Sequence, residues 1–197
     1  MDNVYIIGRD AVPQYIRLGE GERLRMTFAA LPGTSARLSL EVEIAGPGCD
    51  VDIAGAYVCS GNDDLRMNIL VRHSAGGSVS RQLIKGLAGG NSRVEFNGLI
   101  YIARDAQKTE AHQESHSILL SPSAKVEARP QLEIYADDVI CSHGCTSGFL
   151  NAEEEFYMRS RGIPEDEARR LQKLAFLAPV LQRLPENLSR ELYDSIS

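Results

Sequence analysis

The stretch Arg37-Leu-Ser-Leu-Glu-Val-Glu-Ile-Ala-Gly-Pro-Gly48 alternates apolar and polar residues and then ends in turn-forming residues. Its apolar residues, at alternate positions from Leu38 to Ile44, lie on one side of an extended chain, because successive side chains of a strand point to opposite faces. Alternation of this kind is typical of a β-strand with one buried face, and Gly46-Pro-Gly48 is typical of a turn. The stretch therefore predicts one strand followed by one turn.

This unit of strand and turn recurs along most of the chain. Turn-forming segments follow one another at intervals of about 15 residues as far as Asp138. They are Gly19-Glu-Gly21, Pro32-Gly33, Gly46-Pro-Gly48, Ser60-Gly-Asn62, Gly76-Gly77, Gly89-Gly-Asn91, Arg104-Asp-Ala106, Ser121-Pro-Ser123 and Asp137-Asp138. Further breaks at Gly55, Asn97-Gly98 and Pro130 predict that several repeats are divided into two short strands each.

Two arrangements fit short alternating strands at this spacing. An antiparallel sandwich contains such strands, but it does not require a constant repeat length. A β-solenoid does require one, because each coil stacks on the coil before it. The constant spacing therefore favours an all-β fold of the β-solenoid type, although the repeat itself does not indicate the handedness of the coils.

Beyond Gly148 the composition changes to that of amphipathic helices. Asn151 and Glu154 have the spacing of a capping box, which predicts a first helix from about residue 152 to residue 161. A second helix is expected from Pro164 to about residue 177, and a third from 188 to 196, with Pro179 and Pro185 bounding a short segment between them.

The change of pattern predicts two parts, a β-helix core over residues 1–148 and a helical subdomain over residues 149–197. Two roles for the helices remain open. They either cover the open end of the solenoid, where backbone groups would otherwise be unpaired, or they offer a docking surface to a partner.

Composition limits the function classes. The chain has 197 residues, 43% of them hydrophobic, and a net charge of −6, which suffices for one core of ordinary size. Because Lys and Arg form no cluster, binding to nucleic acid is not favoured. No signal peptide is predicted, because the N-terminus has no basic region followed by a long apolar one. No membrane span is predicted either, since the longest later apolar run, Ala175 to Leu181, contains a proline. The four cysteines are therefore expected to be reduced in a soluble, cytoplasmic protein.

The segment Cys141-Ser-His-Gly-Cys145 holds two of the four cysteines and one of the four histidines. On a strand, Cys141, His143 and Cys145 project from one face, with successive Cα atoms roughly 6.7 Å apart. Neighbours two apart can share a metal ion, whereas the outer pair, Cys141 and Cys145, cannot unless Gly144 bends the chain. A closed zinc site needs four ligands, so the others would come from another coil or another chain. The alternative is a half-buried strand on which the cysteines only pack.

Other candidates carry a weaker signal. His112 and His116 have a metal-binding spacing for a helix, but they lie in a strand repeat and are expected to be surface residues. Cys49 and Cys59 are expected to be packing residues. The chain contains neither a P-loop nor a Gly-x-Ser-x-Gly motif, which argues against a P-loop ATPase and a serine hydrolase.

Several motifs of the second half occur together in a fixed order. They are Asp105-Ala-Gln-Lys-Thr-Glu110, Leu119-Leu-Ser-Pro-Ser-Ala-Lys-Val126, Arg129-Pro-Gln-Leu-Glu-Ile-Tyr-Ala-Asp-Asp138, Cys141-Ser-His-Gly144 and Glu154-Glu-Phe-Tyr-Met-Arg-Ser-Arg-Gly-Ile163. This set resembles the C-terminal half of the SufB/SufD family of iron–sulfur cluster assembly scaffolds, and it is more similar to the SufD side. The resemblance covers residues 85–176.

The resemblance implies a right-handed parallel β-helix followed by a small α-helical domain. It also implies a non-enzymatic scaffold subunit that pairs, through the end of its β-helix, with a SufB-like scaffold or a second copy of itself. The C-terminal helices would dock a SufC-like ABC ATPase, and a transient iron–sulfur cluster would form at the subunit interface. His143 is the interface residue that the resemblance implies, and Cys141 and Cys145 are further candidate ligands.

Two other functions are open to this sequence. One is a β-solenoid enzyme of the polysaccharide lyase or acyltransferase type, although no strict six-residue repeat is present. The other is a structural zinc-binding module. Members of the SufB/SufD family also carry an N-terminal helical region and more coils, which this chain lacks, so we expect a short or trimmed member.

Overall fold

The computed structural model describes residues 2–196, in which eleven β-strands are followed by three α-helices. The strands are β1 Asp2–Ile6, β2 Tyr15–Leu18, β3 Arg23–Ala30, β4 Ala36–Ile44, β5 Asp50–Cys59, β6 Asp64–His73, β7 Val79–Ala88, β8 Arg93–Ile102, β9 Thr109–Leu119, β10 Lys125–Ile134 and β11 Val139–Gly148. The helices are α1 Ala152–Ser160, α2 Glu165–Leu181 and α3 Glu186–Ser195. The boundary after Gly148 between two parts stays a prediction, and its outer limits, residues 1 and 197, lie outside the described residues.

The strands alternate between two parallel sheets. Odd-numbered strands form a six-stranded sheet in the order β1-β3-β5-β7-β9-β11, here called the odd sheet. Even-numbered strands form a five-stranded sheet in the order β10-β8-β6-β4-β2, the even sheet. Each strand therefore pairs with the strand two places along the chain, as β11 does with β9 in parallel register. The prediction of a parallel β-helix followed by C-terminal helices is confirmed.

The structure adds the length of a coil to the predicted repeat and shows that the predicted breaks within repeats are wrong. Side chains that meet between neighbouring coils are 29 to 31 residues apart, so a repeat of about 15 residues is one strand and one turn, or half a coil. Gly55, Asn97-Gly98 and Pro130 lie inside β5, β8 and β10 and divide none of these strands.

Tertiary packing explains why these residues do not end strands. An added Cβ at Gly55 would lie 2.9 Å from the Ile84 side chain, and one at Gly98 would lie 2.2 Å from the Gln113 amide. Both glycines therefore leave room for a neighbour in the core. Pro130 lies on β10, an edge strand of the even sheet, where the absence of one N–H is tolerated.

The core fills the space between the two sheets with side chains from alternate positions. Its largest cluster includes Met26, Phe28, Leu40, Ile53, Tyr57, Met67 and Phe96. Tyr57 on β5 extends over Gly86 of β7, and its hydroxyl lies 2.6 Å from the Ser117 hydroxyl on β9. This hydrogen bond, called the Tyr57–Ser117 link, joins β5 to β9 across the intervening strand β7, so it spans three successive coils.

Helices α2 and α3 pack along the outer face of the odd sheet. Apolar side chains of α2 and α3 share a buried cluster with outward-pointing residues of the strands, among them Ala29, Leu87, Leu177, Leu188 and Leu192. The Arg183 guanidinium also forms two hydrogen bonds to the Asp52 carboxylate, at 2.8 and 2.9 Å. The alternative in which the helices cover the open end of the solenoid is therefore wrong.

The helix limits differ partly from the predicted ones. Asn151 is the N-cap of α1, as expected, and its side-chain oxygen accepts from the N–H groups of Glu153 and Glu154. Pro179 does not end a helix but lies inside α2, which continues to Leu181. Burial of Val180 and Leu181 against the odd sheet offsets the one backbone hydrogen bond that the proline removes. Within residues 2–196, no helix is long and apolar enough to cross a membrane.

Candidate functional site

The β-helix ends in two uncovered strands, β10 and β11, which together are called the open end. Each is the last strand of its sheet and pairs with a neighbour on one side only. The regular burial of alternate residues seen in earlier strands is lost there, and Ile134, Tyr135 and Ile140 are exposed. Edge strands of this kind present unpaired backbone groups that a further strand can use.

Strand β11 places the three candidate ligands over the interior of the solenoid. In register with β9, Cys141 pairs with Ala111, His143 with Gln113 and Cys145 with Ser115. These three β9 residues are 0%, 0% and 2% exposed. The candidates thus continue inward-facing columns, and they are accessible because no further coil covers them. The structure brings them to one face of one strand, as the spacing predicts.

The candidate ligands do not form a closed metal site within one chain. No group of three or more His, Cys, Asp or Glu side chains among the described residues is arranged to hold a metal ion. This agrees with strand geometry, in which Cys141 and Cys145 are too far apart to share one ion. Metal or cluster binding by Cys141, His143 and Cys145 stays a prediction that requires ligands from outside the chain.

The two thiols have different surroundings. Cys141 is half-buried against the apolar cluster of Ile100, Ile102 and Ala111. Burial raises the pKa of Cys141, and a backbone hydrogen bond at Ala111 offsets part of this effect. Cys145 is exposed, and partial burial of its sulfur raises its pKa as well. Both thiols are therefore mostly protonated at neutral pH and must lose a proton before they bind iron.

His112 and His116 lie on the outer face of β9, which confirms that they are surface residues on a strand. The His112 ring lies 3.1 Å from Glu110 through Nε2 and 2.7 Å from the Ser142 hydroxyl through Nδ1. His116 makes the same pattern of contacts with Glu114 and Thr146. These contacts tie β9 to β11 on the face opposite to His143. In the sequence, these contacts between β9 and β11 are marked only by the 30-residue offset between each histidine and its hydroxyl partner.

Beneath His143 lies a buried polar residue that the sequence analysis missed. Gln113 is 0% exposed, and its amide Nε2 donates to Gln82 Oε1 at 3.0 Å. Gln82 lies on β7 in register with Gln113, so Gln82, Gln113 and His143 occupy one column. The sequence signal for Gln113 is a polar residue at an inward-facing position of β9, the strand that pairs with β11. Recognising this signal requires the strand register.

A second accessible surface lies on the helices. Tyr157, Met158, Leu171 and Ala175 line an apolar groove between α1 and α2. Phe156 and Tyr157 are 74% and 59% exposed. Acidic residues occupy the first turns of both helices, namely Glu153, Glu154, Glu155, Glu165, Asp166 and Glu167. Helix α2 therefore buries one side against the solenoid, and its other side forms with α1 an apolar groove that Glu153 and Glu154 border.

Comparison with known proteins identifies the family. Residues 10–176 match the family model described as "SUF system FeS cluster assembly, SufBD core domain". The chain belongs to the SufBD family. This match includes most of the β-helix, the open end, α1 and part of α2. The SufD-like resemblance drawn from the sequence motifs is confirmed.

Three relatives illustrate the similarity. The iron–sulfur cluster assembly protein SufD of Escherichia coli is 36% identical over 154 residues, which is 78% of this chain. The chloroplastic protein ABCI7 of Arabidopsis thaliana is 34% identical over 183 residues, or 91% of the chain. SufD of Bacillus subtilis is 41% identical over 102 residues, or 51% of the chain. The matched part covers 36%, 38% and 23% of these three relatives, so this SufBD chain spans well under half of their length.

Proposed function

We propose that the chain acts as a SufD-like, non-enzymatic scaffold subunit in iron–sulfur cluster assembly in the cytoplasm. Its open end pairs with the corresponding end of a SufB-like scaffold or of a second copy of the chain. A transient cluster forms at that junction as the product of assembly, and His143 contributes one ligand. The exposed groove between α1 and α2 contacts a SufC-like ABC ATPase.

The observation that carries this proposal is the position of His143 on an uncovered strand. His143 continues a column whose previous member, Gln113, is fully buried, so a partner that covers the open end encloses His143 as well. Cys141 and Cys145 flank it on the same face of β11 and are candidate thiolate ligands. A second chain supplies the ligands that one strand lacks, and the unpaired edges of β10 and β11 give it a means of docking.

The groove on the helices supports the docking of a partner protein. Protein interfaces typically have an apolar, aromatic-rich centre and a polar rim. Tyr157, Met158 and Leu171 supply the centre here, and Glu153 and Glu154 at the start of α1 supply an acidic part of the rim. This surface therefore fits a partner with basic residues around an apolar ridge.

The two alternative functions have less support. A structural zinc module requires four convergent ligands, whereas no three such residues converge among residues 2–196. For a polysaccharide lyase or an acyltransferase, no feature of the described residues favours a substrate-binding groove over the open end. We therefore retain the scaffold as the single proposed function.

The proposal is tested by anaerobic cluster reconstitution in a complex of the chain with a SufC-like ATPase and a SufB-like scaffold. We expect His143→Ala to lower the yield of cluster at least about tenfold, because losing a group that orients or binds a metal has effects of this order. His112→Ala is the matched control, since it removes a histidine from the outer face of the neighbouring strand.

Two results would contradict the proposal. Equal cluster yields for His143→Ala and the unaltered chain would remove His143 from the site. Failure to form any complex with the ATPase at micromolar concentration, with all three helices intact, would contradict the scaffold role itself.

A further inference from the structure

The Gln113 side chain is a buried polar group on β9, directly beneath the open end. Its Nε2 donates to Gln82 Oε1, but Gln113 Oε1 has no hydrogen-bond partner among the described residues. Leaving a buried acceptor without a partner costs more free energy than a typical hydrogen bond contributes. A donor for this oxygen is therefore expected in the adjoining layer.

The adjoining layer offers His143 as that donor. His143 pairs with Gln113 in the strand register, so their Cα atoms are separated by about one strand spacing, roughly 4.8 Å. Across the interior, Gly98 of the even sheet lies opposite the Gln113 amide. Pro130 on β10 pairs with Gly98 and therefore lies in the next coil, the coil of His143. Neither residue has a side-chain donor. The imidazole of His143 has one N–H when it is neutral, and it has two when it is protonated.

We propose that Gln113 is a positioning residue whose Oε1 accepts the ring N–H of His143. This hydrogen bond fixes one tautomer of the neutral ring and leaves the lone pair of the other nitrogen free at the open end. The Gln82–Gln113 hydrogen bond holds the amide so that its oxygen faces the last layer. The part of this inference that concerns cluster assembly rests on the proposed function, whereas the hydrogen bond itself does not.

The hydrogen bond is tested in the 197-residue chain by the long-range ¹H–¹⁵N NMR spectrum of the His143 ring, recorded at a pH where the ring is neutral. We compare Gln113→Met, which keeps the length of the side chain without the acceptor, and Gln113→Glu, which keeps an acceptor oxygen. Loss of one hydrogen bond is expected to change the ratio of the two tautomers about fivefold in Gln113→Met. Gln113→Glu should keep the tautomer found in the unaltered chain.

A purely structural role for Gln113 predicts the opposite order of effects. A buried carboxylate is more destabilising than a thioether, so Gln113→Glu would then disturb the site more than Gln113→Met. Ser115→Ala is the matched control, because it removes a buried hydroxyl beneath Cys145 on the same strand. It should leave the His143 tautomer unchanged.

The reconstitution assay separates the two proposals. If Gln113→Met leaves the tautomer ratio as in the unaltered chain, the positioning role is wrong, whatever His143 does in assembly. If Gln113→Met changes the tautomer ratio while His143→Ala reconstitutes clusters normally, the hydrogen bond stands and the proposed function of His143 fails. If both proposals hold, Gln113→Met lowers the cluster yield and Gln113→Glu restores most of it.

Discussion

His73 is a histidine that the fold keeps neutral. It is fully buried, and its Nε2 lies 2.8 Å from the Ser80 hydroxyl. Burial lowers the pKa of His73 to about 4, because the charged ring would lose its solvation. The unfolded chain has an ordinary histidine pKa, so it binds a proton at a higher pH than the folded chain does.

The stability of the protein should therefore depend on pH through His73. Between pH 6.5 and 4 the unfolded chain binds more protons, so the contribution is complete above pH 6.5 and is lost as the pH falls toward 4. We expect His73 alone to lower the free energy of unfolding by about 2 kcal/mol between pH 7.5 and pH 5.

Urea denaturation of the unaltered chain and of His73→Gln at the two pH values measures this contribution. The variant should lose about 2 kcal/mol less than the unaltered chain between the two pH values. His112→Gln is the control, since it removes a histidine from the outer face of β9 and leaves the buried His73–Ser80 contact intact. An equal pH dependence in the unaltered chain and His73→Gln would show that His73 does not contribute.

Strand geometry alone was sufficient to place Cys141, His143 and Cys145 on one face and to predict that they do not form a closed metal site by themselves. It did not reveal Gln113 beneath His143, because residues 30 apart become neighbours only when the strands of successive coils pair. The position of a side chain within a strand is a local property, whereas the column to which it belongs depends on every turn between the two strands.

Gly86 shows how a single element depends on the coil beside it. An added Cβ at this position would lie 2.0 Å from the ring of Tyr57, and the Tyr57–Ser117 link prevents the ring from moving away. We expect Gly86→Ala to lower the free energy of unfolding by about 3 kcal/mol, as overpacking of a core does. Urea denaturation measures the change.

Gly144→Ala provides the control for this substitution. It adds a methyl group to β11 where no atom lies within 4 Å, so its effect should stay within about 0.5 kcal/mol. In the double variant Gly86→Ala/Tyr57→Leu, the loss should be smaller than the sum of the two single losses, because both substitutions act on the same contact. Additive losses would mean that the ring of Tyr57 is not what Gly86 accommodates.

The elements themselves were largely predictable, whereas their pairing was not. Alternation such as that from Leu38 to Ile44 identified strands, and Asn151 identified the start of α1. The interval of about 15 residues predicted the number of strands, but it could not show that two strands make one coil. Local propensity wrongly predicted a break at Gly98 and a helix end at Pro179. Packing of Gly98 against Gln113 and burial of Leu181 outweighed the propensities.

At the scale of the whole molecule, the helices and the solenoid are joined by ion pairs, among them Arg183–Asp52 and Arg9–Glu191, as well as by apolar packing. The side chains of Arg183 and Asp52 are 20% and 27% exposed, and two hydrogen bonds connect them. We expect Arg183→Met to weaken attachment of α2 and α3 by about 1–3 kcal/mol, as for hydrogen bonds to charged groups. Hydrogen exchange of the amides in α3 reports this directly.

Arg190→Met is the matched control, because its ion pair with Glu186 lies on the surface, where the side chains are 71% and 90% exposed. Such pairs contribute little, so exchange in α3 should not change. Equal exchange rates in α3 for Arg183→Met and Arg190→Met would mean that the Arg183–Asp52 ion pair does not help to attach the helices.

The Tyr57–Ser117 link also has a consequence for the order in which the molecule opens. In a solenoid most contacts join adjacent coils, so thermal fraying starts at an end and proceeds one coil at a time. The link fastens β5 to β9 across 60 residues, so we expect the middle coils to open as one unit. Strands β10 and β11 lie beyond this link. We therefore expect the open end, which carries His143, to detach and close again while the rest of the β-helix stays folded.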